Sequence, residues 1–292
     1  ASYVAGMMAA RRFNAPLVLD FRDPWFLQRL AMHGKHPAYA YLGRREDRLA
    51  QKCIDRASLL VVTSPGTAEY MTGTYVIGDK PVSLVRNGYD EESIIQSEAP
   101  YGRLEMIFAG TIYDKRDPFP FLEALSEMVK SNAVDRDKVR FRLVGNCESW
   151  NGISLTAWID DKSLADVVSV EGFMPHAEIS ELMEASNVLV NFSQGQPLQI
   201  PAKSYEYLAS KRDVLCIAES DSDVARLHRE AGYGDVIEPD NKEAMRASLR
   251  KLYRKYVLQT SGTGDALPDT SAYRRSAQFR ELLSALEAVA DI

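Results

Sequence analysis

Long apolar runs are missing. None of the 292 residues falls in a stretch approaching the roughly 20 needed to cross a bilayer, and no charged-then-apolar leader opens the chain. The sequence therefore reads as neither an integral membrane protein nor a secreted one. Cysteine is scarce: Cys53, Cys147 and Cys216 are odd in number and far apart, which excludes a disulfide framework and any ordinary zinc spacing. A cytoplasmic, reducing compartment fits. Positive charge is in deficit, with 35 Lys and Arg against 41 Asp and Glu and a net charge of −6, so nucleic acid is not expected as a partner. Internal repeats, low-complexity tracts and a Walker-type glycine loop are absent too.

What is present is a globular composition, 46% apolar and 26% charged, on a chain long enough for two domains. Short apolar runs alternate with amphipathic stretches of helical length. They lie at Leu17 to Phe21, Leu59 to Thr63, Met106 to Ala109, Phe141 to Val144, Val188 to Val190 and Val214 to Ile217. This alternation predicts an α/β fold with parallel sheets wound by helices. Several runs end in small residues, as in Ala109-Gly110-Thr111 and Val144-Gly145-Asn146, and ligands of such sheets bind beyond the carboxyl ends of strands. Small residues there also simply permit tight turns.

The polar, weakly patterned stretch from Asp90 to Arg103 predicts a boundary near residue 98. Residues 1–98 then form a first domain, 99–270 a complete doubly wound domain, and 271–292 a closing helix with apolar residues at Phe279, Leu282, Leu283, Leu286 and Val289. The first domain holds few strand signals, and a helix over Ser2 to Phe13 feeds its first strand directly. The expectation is that the beginning of this domain is missing, leaving apolar surface exposed.

The segment Gln199-Ile200-Pro201-Ala202-Lys203-Ser204-Tyr205-Glu206 carries the clearest chemistry. Pro201 suits the first position of a helix, whose free amides and positive dipole end favour an anion. Lys203 and Glu206 are one turn apart on one face. A cation at a helix start needs something negative nearby, which a diphosphate would supply, and Glu206 could accept from a ribose diol. An ordinary exposed Lys/Glu pair fits the same spacing. A second segment, Gly110-Thr111-Ile112-Tyr113-Asp114-Lys115-Arg116, offers close backbone approach at Gly110 and a flexible cation at Lys115, or merely a solvated loop.

In this order, five segments resemble the retaining glycosyltransferases of family 4. Leu19-Asp20-Phe21-Arg22-Asp23-Pro24-Trp25 is similar to the "DxRDxW" of its bacterial cell-surface-polysaccharide members, Asn87-Gly88-Tyr89-Asp90 to "NGvD", and Phe108-Ala109-Gly110-Thr111 to "yaGt". Gly172-Phe173-Met174-Pro175 resembles the "f.G.vp" turn beside the nucleobase, and Ile200-Pro201-Ala202-Lys203 through Ala209 resembles "iPgKlyEYla". The resemblance implies a GT-B fold, in which two Rossmann-like domains face each other across a cleft and the second binds a UDP- or GDP-sugar donor. It assigns Glu206 to the donor ribose and Lys115 and Lys203 to the diphosphate. Arg22 and Asp23 fall near the reacting centre, and Gly110, Thr111, Gly145, Asn146, Phe173, Met174, Pro201 and Ala202 around the donor. Catalysis is then electrostatic, with no metal and no cofactor. The glutamate that members often carry eight positions before Glu206 is here Leu198, which leaves the donor sugar open.

The implied activity is transfer of a sugar, hexosyl or related, to a glycan or lipid-linked acceptor in polysaccharide biosynthesis. A non-catalytic nucleotide- or glycan-binding subunit and a nucleotide-sugar epimerase are the alternatives. Asp221-Ser222-Asp223 matches a metal-binding Asp-x-Asp, but its place before an amphipathic stretch favours a helix cap. His176 and His228 read as surface or capping residues. Basic residues outnumber acidic ones over 28–56, with apolar residues interleaved, which predicts a peripheral contact with the inner face of the membrane; a solvated helix is the plainer reading.

Overall fold

The computed structural model describes residues 2–22, 37–95, 97–259 and 268–290, with side chains left aside at 37–42, 93 and 290. Asp23 and Trp25, and the part of the basic stretch before residue 37, lie outside the described residues. The chain divides into two compact units: 1–88 with 198–200 and 271–292, and 89–197 with 201–270.

In the first unit, strands β1 (Val18–Phe21), β2 (Leu59–Val62) and β3 (Val82–Leu84) form a parallel sheet in that order. Strand β2 is Leu-Leu-Val-Val and buried throughout, as a strand covered on both faces must be. Leu60 and Val62 meet a core with residues of helices α1 (Ser2–Phe13), α2 (Pro37–Arg56) and α3 (Pro65–Thr74). Leu59 and Val61 meet Leu282, Leu286 and Val289 of the last helix, Arg275–Ala290. Helix α3 starts where it does because Ser64 accepts from the Thr67 amide and Pro65 occupies the first turn.

The second unit holds six parallel strands: β4 (Leu104–Ala109), β5 (Val139–Val144), β8 (Val168–Glu171), β9 (Val188–Phe192), β10 (Asp213–Ile217) and β11 (Asp235–Ile237). A two-stranded ribbon, β6 (Ser149–Trp150) with β7 (Ile153–Ser154), stands apart. The sheet order is β8-β5-β4-β9-β10-β11. In chain order that is 3-2-1-4-5-6, the doubly wound arrangement whose crevice opens between the first and fourth strands, here β4 and β9.

Alternate residues of β4 serve opposite faces. Met106 and Phe108 pack with helices α4 (Phe119–Lys130), α5 (Leu155–Asp161) and α9 (Lys242–Tyr253). Ile107 packs with residues of α6 (His176–Glu184) and α7 (Ala202–Ala209). Helix α8 (Asp223–Ala231) completes that second layer against Cys216. Its cap is Ser222, which accepts from the Ala225 amide, so the Asp-x-Asp stretch is a helix start.

His228 on α8 is buried at 2% exposure, contrary to the surface placement expected of it, because it sits on the apolar side of an amphipathic helix. Its Nδ1 lies 2.7 Å from the Tyr233 carbonyl and donates to it, while Nε2 has no partner. Burial pulls its pKa below the usual imidazole value, opposed by the carbonyl contact. A depressed folded pKa favours the neutral ring, so this contribution is present above about pH 6.5 and lost as pH falls below it. Thermal melts are expected to show a steeper loss of stability between pH 7 and 5 for the parent than for His228→Gln; parallel curves would remove the role.

Candidate functional site

Strand β4 ends at Ala109 and the chain turns at Gly110, whose amide donates to the Val144 carbonyl of β5 at 2.8 Å. Gly145 lies so close to Gly110 that a Cβ on it would stand 2.3 Å from the Gly110 oxygen. The Gly145 amide donates to the Glu171 carbonyl at 3.0 Å, and the Asn146 carbonyl accepts from the Ile112 amide at 2.9 Å. Three strand ends are thereby stitched into one floor. No carboxylate takes part.

Helix α7 begins one residue later than the sequence suggests. Pro201 takes the cap position with extended backbone (ψ 138°), and Ala202 is the first helical residue. A proline preceding the first turn is as free of a missing donor as one within it. Lys203 reaches back under Gly110: its ammonium donates to the Ala109 carbonyl at 3.3 Å and stands 3.8 Å from the centre of the Phe108 ring. Burial, and then the neighbouring Arg116, hold its pKa well below the ordinary lysine value.

Lys203 is half-buried, and Arg116, rather than Lys115, is the buried cation of the loop after β4. Its guanidinium donates to the Thr111 carbonyl and the Gln196 side chain, both at 3.2 Å, and lies 4.6 Å from the Tyr113 ring centre. Its Nε is buried without a partner. Neither Lys203 nor Arg116 has a carboxylate in ion-pair range among the described residues. Lys115 is exposed instead, with its alkyl stem laid over Gly195, where a Cβ would meet Cδ at 2.3 Å. The Gly195 amide donates to Glu219, which fixes the turn after β9.

A cleft of about 430 Å³ in the second unit is lined by Ala109, Gly110, Lys203, Glu206 and Tyr207 on one side and by α6 residues, including His176 and Ser180, on the other. It brings together Gly110, Lys203 and Glu206 of the expected donor set. Thr111 is exposed and Gly145 and Asn146 lie behind Gly110. Met174 is half-buried against Ile107 and Val144. Phe173 is 91% exposed and does not line the cleft. Arg22 belongs to the first unit, bonded to Asp20 at 2.9 Å and to Asn87 at 3.3 Å, which joins two of the recognised segments. Leu198, where a glutamate often stands, packs against the first unit's core, and its carbonyl accepts from Ser64 and Thr67. No group of three metal-binding side chains occurs among the described residues.

No protein-family profile matches the chain, and no curated protein matches it. Solved structures do. HepE of Anabaena in complex with UDP and glucose is 14% identical, with 98% of this chain covering 75% of that one at a TM-score of 0.67. The lipopolysaccharide outer core galactosyltransferase WaaB is 12% identical, with 98% of this chain covering 72% of it at 0.63. A glycosyltransferase of Rickettsia africae is 14% identical, with 99% covering 80% at 0.64. The fold is that of the GT-B glycosyltransferases.

Proposed function

We propose that the chain is a nucleotide-sugar-dependent glycosyltransferase of the retaining, metal-independent kind, moving a hexosyl or related group to a glycan or lipid-linked acceptor. One observation carries the reading: a buried cation, Arg116, and a half-buried one, Lys203, stand with no carboxylate in ion-pair range among the described residues, by the carboxyl end of β4, at the crevice of a doubly wound sheet. A cation withdrawn from water without an ion-pair partner is costly, and a bound diphosphate would offset that cost. Lys203, Arg116 and the flexible Lys115 then neutralise the leaving diphosphate as the glycosidic bond breaks, a charge that develops in the transition state. Glu206, in the same cleft, accepts from the ribose hydroxyls. The nucleotide-bound GT-B structures add support by likeness of fold. Arg22 and Asp23 are assigned to the reacting centre by motif alone.

Transfer and hydrolysis measured with a panel of UDP- and GDP-sugars, in EDTA, test the proposal. Turnover is expected to survive the chelator. Glu206→Gln should lower donor affinity or turnover about ten- to a hundredfold with little change in melting temperature, since the amide keeps one ribose contact and loses the charged acceptor. Full activity in that variant would sink the ribose assignment. Nucleotide binding with no turnover on any donor would move the chain to the non-catalytic alternative.

No helix among the described residues is long and apolar enough to cross a membrane. A peripheral contact is part of the proposal. Helix α2 exposes Arg44, Arg48, Leu49 and Lys52, and the neighbouring α1 exposes Met8, Arg11, Arg12 and Phe13. Each basic residue near an anionic surface contributes about 1 kcal/mol. Flotation with anionic vesicles is therefore expected, and reversal of Arg44, Arg48 and Lys52 to Glu should abolish it; equal flotation on neutral vesicles would remove the claim.

A further inference from the structure

Strand β9 is Val-Leu-Val-Asn-Phe and buried along its whole length, so a carboxamide sits where the strand otherwise offers only hydrocarbon. Alternation puts Asn191 with Leu189 on the face covered by α6 and α7. Its Nδ2 donates to the Ser204 hydroxyl at 3.0 Å, and its Oδ1 accepts from the Ser193 hydroxyl at 3.1 Å. All three residues are at most 1% exposed. A leucine at position 191 would fill similar space with no polar group to satisfy, so stability alone gives no reason for the amide.

What the three side chains join gives one. Ser204 stands in the first turn of α7, next to Lys203. Ser193 follows β9, anchored by its amide to the Ile217 carbonyl of β10 at 2.9 Å, and opens the turn that grips the other cation. In that turn Gln194 donates to the Asp117 carbonyl at 2.8 Å and Gln196 accepts from Arg116 at 3.2 Å. The helix that carries Lys203 and the turn that holds Arg116 are thus tied through one buried amide. Apolar packing is non-directional and lets a helix shift over a sheet, whereas hydrogen bonds fix distance and direction. Lys203 and Arg116 repel each other, so a rigid frame is needed to hold them close before an anion arrives.

We infer that Asn191 is a positioning residue for diphosphate recognition: through Ser204 and Ser193 it holds Lys203 and Arg116 at the separation a bound diphosphate requires. This role rests on the reading that a nucleoside diphosphate occupies the cleft; the buried residues that set the spacing of its cations are what it adds.

Titration of the full chain with UDP and GDP, and with uridine and guanosine, alongside thermal melts, tests the role. Asn191→Leu leaves two serine hydroxyls without their partner and should lower the melting temperature; adding Ser193→Ala and Ser204→Ala removes those hydroxyls and should restore most of it. In both variants the nucleotide that binds the parent more tightly should lose about tenfold in affinity, the scale of one misplaced charge-assisted contact, while nucleoside affinity stays within about twofold. Ser204→Ala alone, which a helix accepts readily, should lose about threefold, and it decides the matter if the triple variant does not fold. Parent-like nucleotide affinity in the triple variant or in Ser204→Ala overturns the positioning role. Equal losses for nucleotide and nucleoside overturn it too, because the damage is then to the cleft as a whole and not to the spacing of its cations. Binding of neither UDP nor GDP by the parent overturns the nucleotide reading itself, and the role of Asn191 with it.

Discussion

Lys203→Met is expected to leave the melting temperature of the free protein unchanged or slightly raised, while lowering affinity for UDP and GDP roughly ten- to 150-fold. The first half follows from what the ammonium touches. Among the described residues it makes a 3.3 Å hydrogen bond to a neutral carbonyl and a contact with the Phe108 ring, and Arg116 repels it more than Glu206 attracts it. A cation–π contact contributes about 0.5–2 kcal/mol, which does not repay the desolvation of an ammonium with no carboxylate in ion-pair range. Methionine has nearly the same length and none of that cost. The second half follows from the loss of one charge-assisted hydrogen bond to a phosphate, about 1.5–3 kcal/mol, which corresponds to that range of affinity. Differential scanning fluorimetry and titration calorimetry on the same preparation check both halves. A lower melting temperature with unchanged affinity would make Lys203 a structural residue and remove the chief support for a diphosphate in the cleft.

The strands that announced themselves did so for a physical reason. Parallel strands covered on both faces must be apolar at nearly every position, and Leu59–Val62, Leu104–Ala109, Val188–Phe192 and Asp213–Ile217 all show it. Not every strand is legible in this way. Val82-Ser83-Leu84 and Asp235-Val236-Ile237 are three residues long, at sheet edges, and too short to display any period. Lys203 and Glu206 were legible as a pair because helical spacing puts them on one face, and both line the same cleft. Lys115 and Arg116 were not separable in the same way. They are consecutive in a loop, where no periodicity says which side chain turns inward, and it is Arg116 that is buried. The one available signal was local: Tyr113 three residues earlier, whose ring the guanidinium covers. Burial of His228 was hidden because Arg226, Arg229 and Glu230 around it give the helix a polar look in one dimension.

Gly145→Ala is expected to destabilise the second unit by about 2–6 kcal/mol and to abolish nucleotide binding. Two costs combine. The backbone at Gly145 has φ +106°, where a residue with a Cβ carries strain of about 1–3 kcal/mol. The new methyl would also stand 2.3 Å from the Gly110 carbonyl oxygen and 3.1 Å from its carbon, a collision with backbone that no rotamer relieves. Overpacking of this kind costs about 1–3 kcal/mol more. To make room, Gly110 must move, and with it the 2.8 Å bond to Val144 and the carbonyl of Ala109 that holds Lys203. The floor of the cleft and its cation shift together, which is why binding should fail before the fold does. Gly152→Ala is the matched control. It has a similar φ of +82°, but a Cβ there meets nothing within 4 Å, so it should cost only the strain and leave binding intact. Chemical denaturation with nucleotide titration on both variants separates the two costs. Equal effects of Gly145→Ala and Gly152→Ala on stability and binding would show that the close approach of Gly110 and Gly145 does not shape the site.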